Sequence, residues 1–214
     1  MYNPQFHNRH SIRLKGYDYS QAGLYFVTIV CQNRMTMFGN VQNGEMILND
    51  AGRMVAQEWE NLPLRFPQIQ LHEYVVMPNH FHAILEITNN ERPNGEIVVG
   101  ARPCGCLLSD NNGRPDNERH DNEMIDEGEG THKGCPDEGH ESLGEILGAF
   151  QSIVTVNYIR NVKNNSWTPF NKKLWQRNYY EHIIRNEQSY NNISNYIQNN
   201  PRNWNDDTLK ITTL

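Results

Sequence analysis

The stretch VVMPNHFHAILEI, residues 75–87, places two histidines one residue apart in an apolar run that begins with a turn-forming Met-Pro-Asn. Successive side chains of a strand point to opposite faces, so the pattern predicts His80 and His82 on one face and Phe81 and Ala83 on the other. With the apolar face in a core, the imidazoles face a cleft or solvent on a rigid support. Two imidazoles alone do not hold a divalent ion, so a metal site here needs a third ligand from elsewhere in the fold.

The segments around this stretch predict strands that alternate with helices. The predicted strands are 24–32, a short one within 44–50 after a turn at Asn43-Gly44, 68–77, 80–87 and 173–184. The predicted helices are 49–63, capped by Asp50 and stopped by Pro63, 143–161, capped by Ser142, and 186–201, ended by Pro201. Paired central strands interleaved with helices indicate an α+β sandwich, with the helices on one side of the sheet.

Residues 89–141 interrupt this pattern with a glycine-rich acidic segment. It holds 8 of the 15 glycines, and its 13 acidic and 5 basic residues give a net charge of -8, whereas the rest of the chain carries +2. The mean hydropathy of -0.77 is low for 214 residues. We therefore predict a single domain over 1–214 with a disordered insertion at about 89–141. The net charge of the whole chain then says little about the surface of the domain.

The cysteines and the apolar runs bear on the cellular compartment. Four cysteines without a secretory context argue against a disulfide framework, and no run approaches the length of a membrane span, which together predict a cytoplasmic protein with no membrane partner. Within the insertion, Cys104, Cys106, His132 and Cys135 could be taken for a zinc site. Their spacing is not that of a standard zinc finger, so a solvated loop with incidental thiols is the favoured interpretation.

The last predicted helix, 186–201, carries Tyr196 and Asn200 four residues apart on one face. A phenol and an amide are thereby available to meet the two histidines. Tyr190 competes with Tyr196, but its neighbour at the same interval is Ser194, a poor ligand for a hard divalent ion. Taken alone, Tyr196 is equally typical of a half-buried aromatic on an amphipathic helix.

Four stretches in order, YFVTIVCQNR, VVMPNHFHAIL, LWQRNYYEHIIRNEQSY and YIQNNP, resemble the single-tyrosine HUH transposases of the REP-associated and insertion-sequence type. The resemblance implies a ferredoxin-like sandwich with the HUH motif on a central strand. It further implies that His80 and His82 bind a divalent cation, Mg²⁺ or Mn²⁺, and that Tyr196 is the nucleophile. Asn200 stands where insertion-sequence members have a glutamine ligand, a place in which REP-associated members accept asparagine.

The function implied by this resemblance is metal-dependent cleavage and rejoining of single-stranded DNA through a covalent 5′-phosphotyrosine intermediate. Single-stranded or hairpin DNA is the expected partner, and a homodimer is compatible with the sequence. Aromatic side chains can stack on bases, and cationic side chains can bind phosphates. Two stretches offer such side chains, and the expected DNA-binding residues are Arg13, Lys15, Trp175, Arg177 and Arg185.

Two other functions stay open on the sequence. The first is a DNA-hairpin-binding protein derived from such a transposase that no longer cleaves. The second is a metal-dependent phosphohydrolase acting on small nucleotides. A histidine-triad hydrolase would need a third alternating histidine, whereas position 84 is Ile84.

Overall fold

The computed structural model describes Leu14, residues 16–89 and residues 141–210 of the chain. Within these ranges the strands are β1 (Gly23–Val30), β2 (Gly39–Gln42), β3 (Glu45–Leu48), β4 (Ile69–Val76), β5 (His80–Ile87) and β6 (Tyr180–Ile184). The helices are α1 (Asp50–Glu60), α2 (Leu62–Arg65), α3 (Leu143–Asn164) and α4 (Glu187–Asn199), with 3-10 turns at Gln32–Arg34 and Trp204–Asp206. The predicted insertion and its cysteines lie outside these ranges, apart from the end residues Asn89 and Glu141, so both the insertion and the single-domain assignment stay predictions.

Four strands form one antiparallel sheet in the order β4-β5-β1-β6. β1 continues through α1 to β4, which lies on the far side of β5, and β5 continues through α3 to β6, which lies on the far side of β1. Two interleaved split β-α-β units of this kind make a ferredoxin-like sandwich. The predicted α+β class and the central position of the histidine strand are confirmed. The hairpin of β2 and β3 is inserted between β1 and α1.

The main core lies between one face of the sheet and the helices α1 and α3. Its centre is a cluster of three rings, Trp59 from α1, Phe81 from β5 and Phe150 from α3, whose centroids lie 4.9 to 5.4 Å apart. All three are fully buried. Replacing one such aromatic with alanine typically costs about 3 to 5 kcal/mol of stability, so this cluster is a principal source of the rigidity of β5.

Helix α4 packs on the opposite face of the sheet, against β4 and β5. There Ile197 forms a smaller apolar cluster with Ile84 and Ile184. The prediction that the helices share one side is therefore wrong for α4. The reason is that the face with the histidines also carries an apolar patch, with Ile84 of β5 beside Ile184 of β6, so this face needs a covering element as well.

Three predicted boundaries also differ from the structure. Asn49, and not Asp50, caps α1, because the Asn49 side chain accepts a hydrogen bond from the backbone N–H of Gly52. Pro63 does not end a helix but lies in the first turn of α2, where its missing N–H is not needed. The strand predicted over 173–184 is regular only in β6, and its first half contributes a single bridge between Trp175 and Cys31.

The start of α3 follows the sequence closely. The Ser142 hydroxyl accepts a hydrogen bond from the backbone N–H of Glu145, and the Glu145 side chain accepts one from the backbone N–H of Ser142. This reciprocal capping box satisfies two N–H groups that a helix start leaves open. No helix in the described ranges is both long and apolar enough to cross a lipid bilayer.

Candidate metal and nucleophile site

The two histidines of β5 lie side by side on the α4 face, with ring centroids 4.6 Å apart. Their side-by-side arrangement agrees with the strand alternation, but the prediction that they face a cleft or solvent is wrong. His80 is 0% and His82 2% exposed. Helix α4 and the segment around Trp204 cover them, with the Trp204 ring centroid 6.0 Å from that of His80.

The hydrogen bonds of His80 determine which of its nitrogens can act as a ligand. Its Nδ1 lies 2.8 Å from Oδ1 of Asn79, and the Asn79 amide nitrogen donates to the backbone carbonyls of Arg34 and Leu209. Because Oδ1 can only accept, Nδ1 of His80 carries the proton. Nε2 then has a free lone pair, and it has no hydrogen-bond partner within the described residues.

His82 joins the strand network to the helix. Its Nδ1 lies 2.8 Å from the Thr28 hydroxyl on β1, and its Nε2 lies 3.2 Å from the Tyr196 hydroxyl on α4. Phe26 stacks on the His82 ring at 5.4 Å and meets Tyr196 edge-on at 6.1 Å. Tyr196 is 46% exposed, so solvent and a substrate can reach its ring from outside while its hydroxyl contacts the buried histidine.

Asn200 and Asp207 complete the inner surface of the site. Asn200 is buried, and within the described residues its Oδ1 has no hydrogen-bond partner. Asp207, which sequence analysis missed, places Oδ2 3.7 Å from Nε2 of His80. It follows α4 through a 3-10 turn, and no spacing rule connects such a residue to a strand motif. The structure thus brings together four predicted residues and one carboxylate that was not predicted.

Burial governs the ionisation of the site. It lowers the pKa of His80 to about 4, although the Asp207 carboxylate and the Asn200 amide act in the opposite direction. Burial, and then the neighbouring His80, hold the pKa of His82 well below its usual value. Both imidazoles are therefore neutral at neutral pH, as metal ligation requires. Burial, and then Asp207, raise the pKa of Tyr196, so its phenol is protonated at neutral pH.

The residues present fit a divalent cation held by two imidazoles and the Asn200 carbonyl. Within the described ranges no three His, Cys, Asp or Glu side chains are grouped as a metal site, and the predicted third ligand is the Asn200 amide. Two of the candidate atoms, Nε2 of His80 and Oδ1 of Asn200, are buried acceptors without a hydrogen-bond partner among the described residues, and such an atom is costly to bury unless something binds it. Nε2 of His82 would exchange its contact with Tyr196 for the cation.

A second polar network holds α4 on the sheet one turn and a half before Tyr196. Tyr190 donates its hydroxyl proton to Glu73 at 2.9 Å and lies 3.1 Å from Nδ1 of His72, while Ser194 also donates to Glu73. The other His72 nitrogen lies 3.0 Å from the Glu86 carboxylate. Tyr190 is therefore committed to this network and does not contact the two histidines of β5.

A bulge in β4 makes this network possible. The register between β4 and β5 shifts between Leu71 and Tyr74, which both pack on the main core although they are three residues apart. Regular alternation would send adjacent residues to opposite faces, whereas the extra residue lets His72 and Glu73 both point toward α4. The bulge was not predicted from sequence.

The expected DNA-binding residues differ in how far the structure buries them. Trp175 is only 6% exposed, its ring packs against Phe38 at 5.2 Å, and it belongs to the main core. Trp175 therefore offers little surface to a partner, and its contact with DNA stays a prediction. Arg177 and Arg185 are exposed near the two ends of β6. The other two, Arg13 and Lys15, lie outside the described residues and stay predictions.

Comparison with known proteins finds similarity both to a sequence relative and to solved structures. No family model matches the chain. The chain is similar to the solved structure of a REP-associated tyrosine transposase bound to a REP hairpin, with 15% identity, a TM-score of 0.47 and coverage of 88% of this chain and 72% of that one. It is also similar to a candidate transposase of Deinococcus radiodurans R1, with 13% identity, a TM-score of 0.38 and coverage of 87% and 95%.

Both TM-scores lie below 0.5, so the function of this chain has to be inferred from the geometry of its own site. An uncharacterized protein of Haemophilus influenzae (strain ATCC 51907 / DSM 11121 / KW20 / Rd) is 37% identical over 214 residues, which cover 98% of this chain and 97% of that protein. The chain therefore belongs to the same family as the Haemophilus influenzae protein.

Proposed function

We propose that this chain is a metal-dependent DNA transposase that cleaves and rejoins single strands with Tyr196 as the nucleophile. The observation that carries the proposal is the contact of 3.2 Å between the Tyr196 hydroxyl and Nε2 of His82, next to the two unpartnered acceptors of His80 and Asn200. A reactive oxygen on a partly exposed ring thus meets a set of potential cation ligands that is shielded from water.

In the proposed reaction, the Tyr196 oxygen attacks the phosphorus of a DNA phosphodiester in line with the 3′-oxygen of the neighbouring nucleotide. The P–O bond to tyrosine forms while the P–O3′ bond breaks. The phenol proton goes to solvent, and the leaving 3′-oxygen takes up a proton from solvent. The products are a 5′-phosphotyrosine and a free 3′-hydroxyl, which can attack in reverse without a nucleotide cofactor.

The proposed cation is Mg²⁺ or Mn²⁺, held by His80, His82 and Asn200. When bound, it supplies positive charge to a non-bridging phosphate oxygen and favours the phenolate form of a nearby phenol. The chain contributes the rest: β5 holds the imidazoles at a constant separation, Thr28 and Asn79 orient them, and α4 carries the nucleophile and the amide together.

The test is formation of a covalent adduct. The full chain is incubated with labelled single-stranded and hairpin DNA from its genomic flanks, with Mn²⁺, with Mg²⁺ or with EDTA, and separated on a denaturing gel. We expect a metal-dependent adduct that peptide mapping assigns to Tyr196 and that Tyr196→Phe abolishes. The variant should lose at most about 1 kcal/mol of stability, because only one hydroxyl is removed.

The matched control is Tyr74→Phe, which also removes one hydroxyl. The Tyr74 ring packs on the core face of the sheet, where its hydroxyl donates to Glu60, so the adduct should form as in the wild type. An adduct mapped to Tyr179, Tyr180 or Tyr190 would refute the assignment of the nucleophile. Hairpin binding without any adduct would favour the alternative, a binding protein that does not cleave.

A further inference from the structure

Helix α4 covers the face that carries the histidines mainly over β4 and β5, and it leaves Tyr180 and His182 of β6 exposed. The helix packs on β4 and β5, and at the far end of the face Ile197 closes over Ile184. β6 is an edge strand that pairs only with β1. In that pairing Tyr180 lies opposite Thr28 and His182 opposite Phe26.

Residues directly opposite in a strand pair point to the same face, and Thr28 points to His82. Tyr180 and His182 therefore point to the same face as the candidate site. Tyr180 is 54% exposed and His182 is exposed as well. Between them and the site lies Phe26, which contacts both His82 and Tyr196. We name Phe26, Tyr180 and His182 the ring row.

The ring row is flanked by positive charge. Arg177 precedes β6 by three residues and Arg185 follows it directly, and both are exposed. Within the described residues neither arginine forms an ion pair or a hydrogen bond. Glu181, the acidic residue of β6, lies opposite Val27 and so points to the core face. The ring row thus combines the exposed rings of Tyr180 and His182 and the partly buried ring of Phe26 with two arginines that are unpaired within the described residues, and β6 adds no carboxylate to that face.

We propose that the ring row is the platform on which the bases of a DNA single strand stack as the strand enters the site at Tyr196. This inference rests on the proposed function. Exposed rings next to cations fit single-stranded nucleic acid because every unpaired base offers a flat face and every nucleotide a phosphate. In a duplex the base faces are stacked on one another and cannot lie on the rings. The row leads directly to the proposed nucleophile, so a stacked strand would deliver its next phosphate there.

The test measures binding without cleavage. A labelled single strand of roughly 12 nucleotides, within the site sizes that such platforms cover, is titrated with the full chain in EDTA and followed by fluorescence anisotropy. We expect Tyr180→Ala and His182→Ala each to weaken the affinity roughly tenfold, which is the loss of one stacked base. Tyr180→Phe keeps the ring and should stay within about twofold of the wild type.

The matched control is Arg160→Ala on the exposed side of α3, which should not change the affinity. A fluorescent base analogue in the strand should be quenched by the wild type and not by Tyr180→Ala. The platform is refuted if the wild type does not bind the strand, if both alanine variants bind like the wild type, if Tyr180→Phe weakens binding as much as Tyr180→Ala, or if RNA of the same sequence binds more tightly.

The proposed function is tested separately, by whether the covalent adduct forms. Stacking with no adduct under any metal condition would leave the platform in place and remove the assignment of Tyr196 as the nucleophile. An adduct at Tyr196 that forms equally well in Tyr180→Ala and His182→Ala, with unchanged affinity, would remove the platform and leave the nucleophile.

Discussion

Each histidine of the site is oriented by a side chain at its second nitrogen. Asn79 accepts from Nδ1 of His80, and Thr28 contacts Nδ1 of His82. Partners of this kind hold the ring and direct the remaining lone pair. The pair His-x-His is therefore part of a larger arrangement, in which the residue before the first histidine and a threonine on the neighbouring strand also take part.

The proposed ligands predict a ranked loss of metal affinity. His80→Ala and Asn200→Ala should each lower the affinity for Mn²⁺ by at least about 100-fold, the upper end of the loss caused by removing an orienting partner, since each removes a ligand itself. Thr28→Val should lower it by roughly tenfold, the smaller effect of losing an orienting partner. Isothermal titration calorimetry on the full chain measures these affinities without relying on activity.

His182→Gln is the matched control for this series. His182 points to the same face of the sheet, but it is exposed on the edge strand β6 and is not one of the proposed ligands. We expect wild-type affinity for Mn²⁺ in this variant. Equal affinities for wild type and His80→Ala, with circular dichroism showing both folded, would contradict the ligand assignment.

Among the secondary-structure elements, β4 and α4 together determine where Tyr196 lies. The bulge in β4 turns both His72 and Glu73 toward the helix, and Tyr190 and Ser194 bind them. Burial alone would raise the pKa of Glu73, but hydrogen bonds from the backbone, Tyr190 and Ser194 together lower it below 4.5. The network thus favours the charged form of Glu73 in the folded protein.

Tyr190→Phe should lower the free energy of unfolding by about 1 to 2 kcal/mol at pH 7, because two hydrogen bonds are lost. A carboxyl group with a lowered pKa stabilises the fold above its unfolded pKa and loses that contribution as the pH falls through its folded pKa. The cost of the substitution should therefore shrink as the pH falls through the lowered pKa of Glu73 in the folded protein, where its carboxylate becomes protonated. Urea unfolding at neutral and acidic pH measures it.

The control for this pH dependence is the same substitution in a Glu73→Gln background. Without a carboxylate at position 73, the cost of Tyr190→Phe should no longer vary between neutral and acidic pH. A cost that is equal at both pH values in the wild-type background would contradict the role given to Glu73.

At the scale of the whole molecule, residues next to both ends of the acidic insertion form hydrogen bonds with Gln68. Thr88 donates from its backbone N–H and its hydroxyl to the carbonyl of Gln68, and the Gln68 side chain donates to Glu141. Thr88, one residue before the end of the first described range, and Glu141, at the start of the second, are thereby tied to the same glutamine. A short connection can join them, because the cost of closing a loop grows slowly with its length.

We expect that replacing residues 90–140 with a short Gly/Ser linker leaves the melting temperature nearly unchanged and tightens non-specific binding of DNA. The second effect follows because residues 90–140 carry a net charge of -7. Thermal unfolding and DNA titration at constant ionic strength measure the two effects. A deletion variant that is insoluble would instead show that the segment packs on the domain.

The sequence by itself determined the features that depend on neighbours along the chain. The alternation in β5 places His80 and His82 on one face, Ser142 and Glu145 begin α3, and the turn at Asn43-Gly44, both with positive φ, joins β2 to β3. Each of these features depends on local hydrogen bonds or on the two-residue period of a strand. Both can be recognised from a few consecutive residues.

Only the tertiary structure decided which surfaces meet. It placed α4 over the histidines, buried Trp175 in the core, turned His72 and Glu73 to one face and brought Asp207 to His80. The periodicity of a helix shows that it has an apolar side but not which face of the sheet that side covers. That choice, and every contact between distant residues, depends on the apolar area that the whole chain can bury at once.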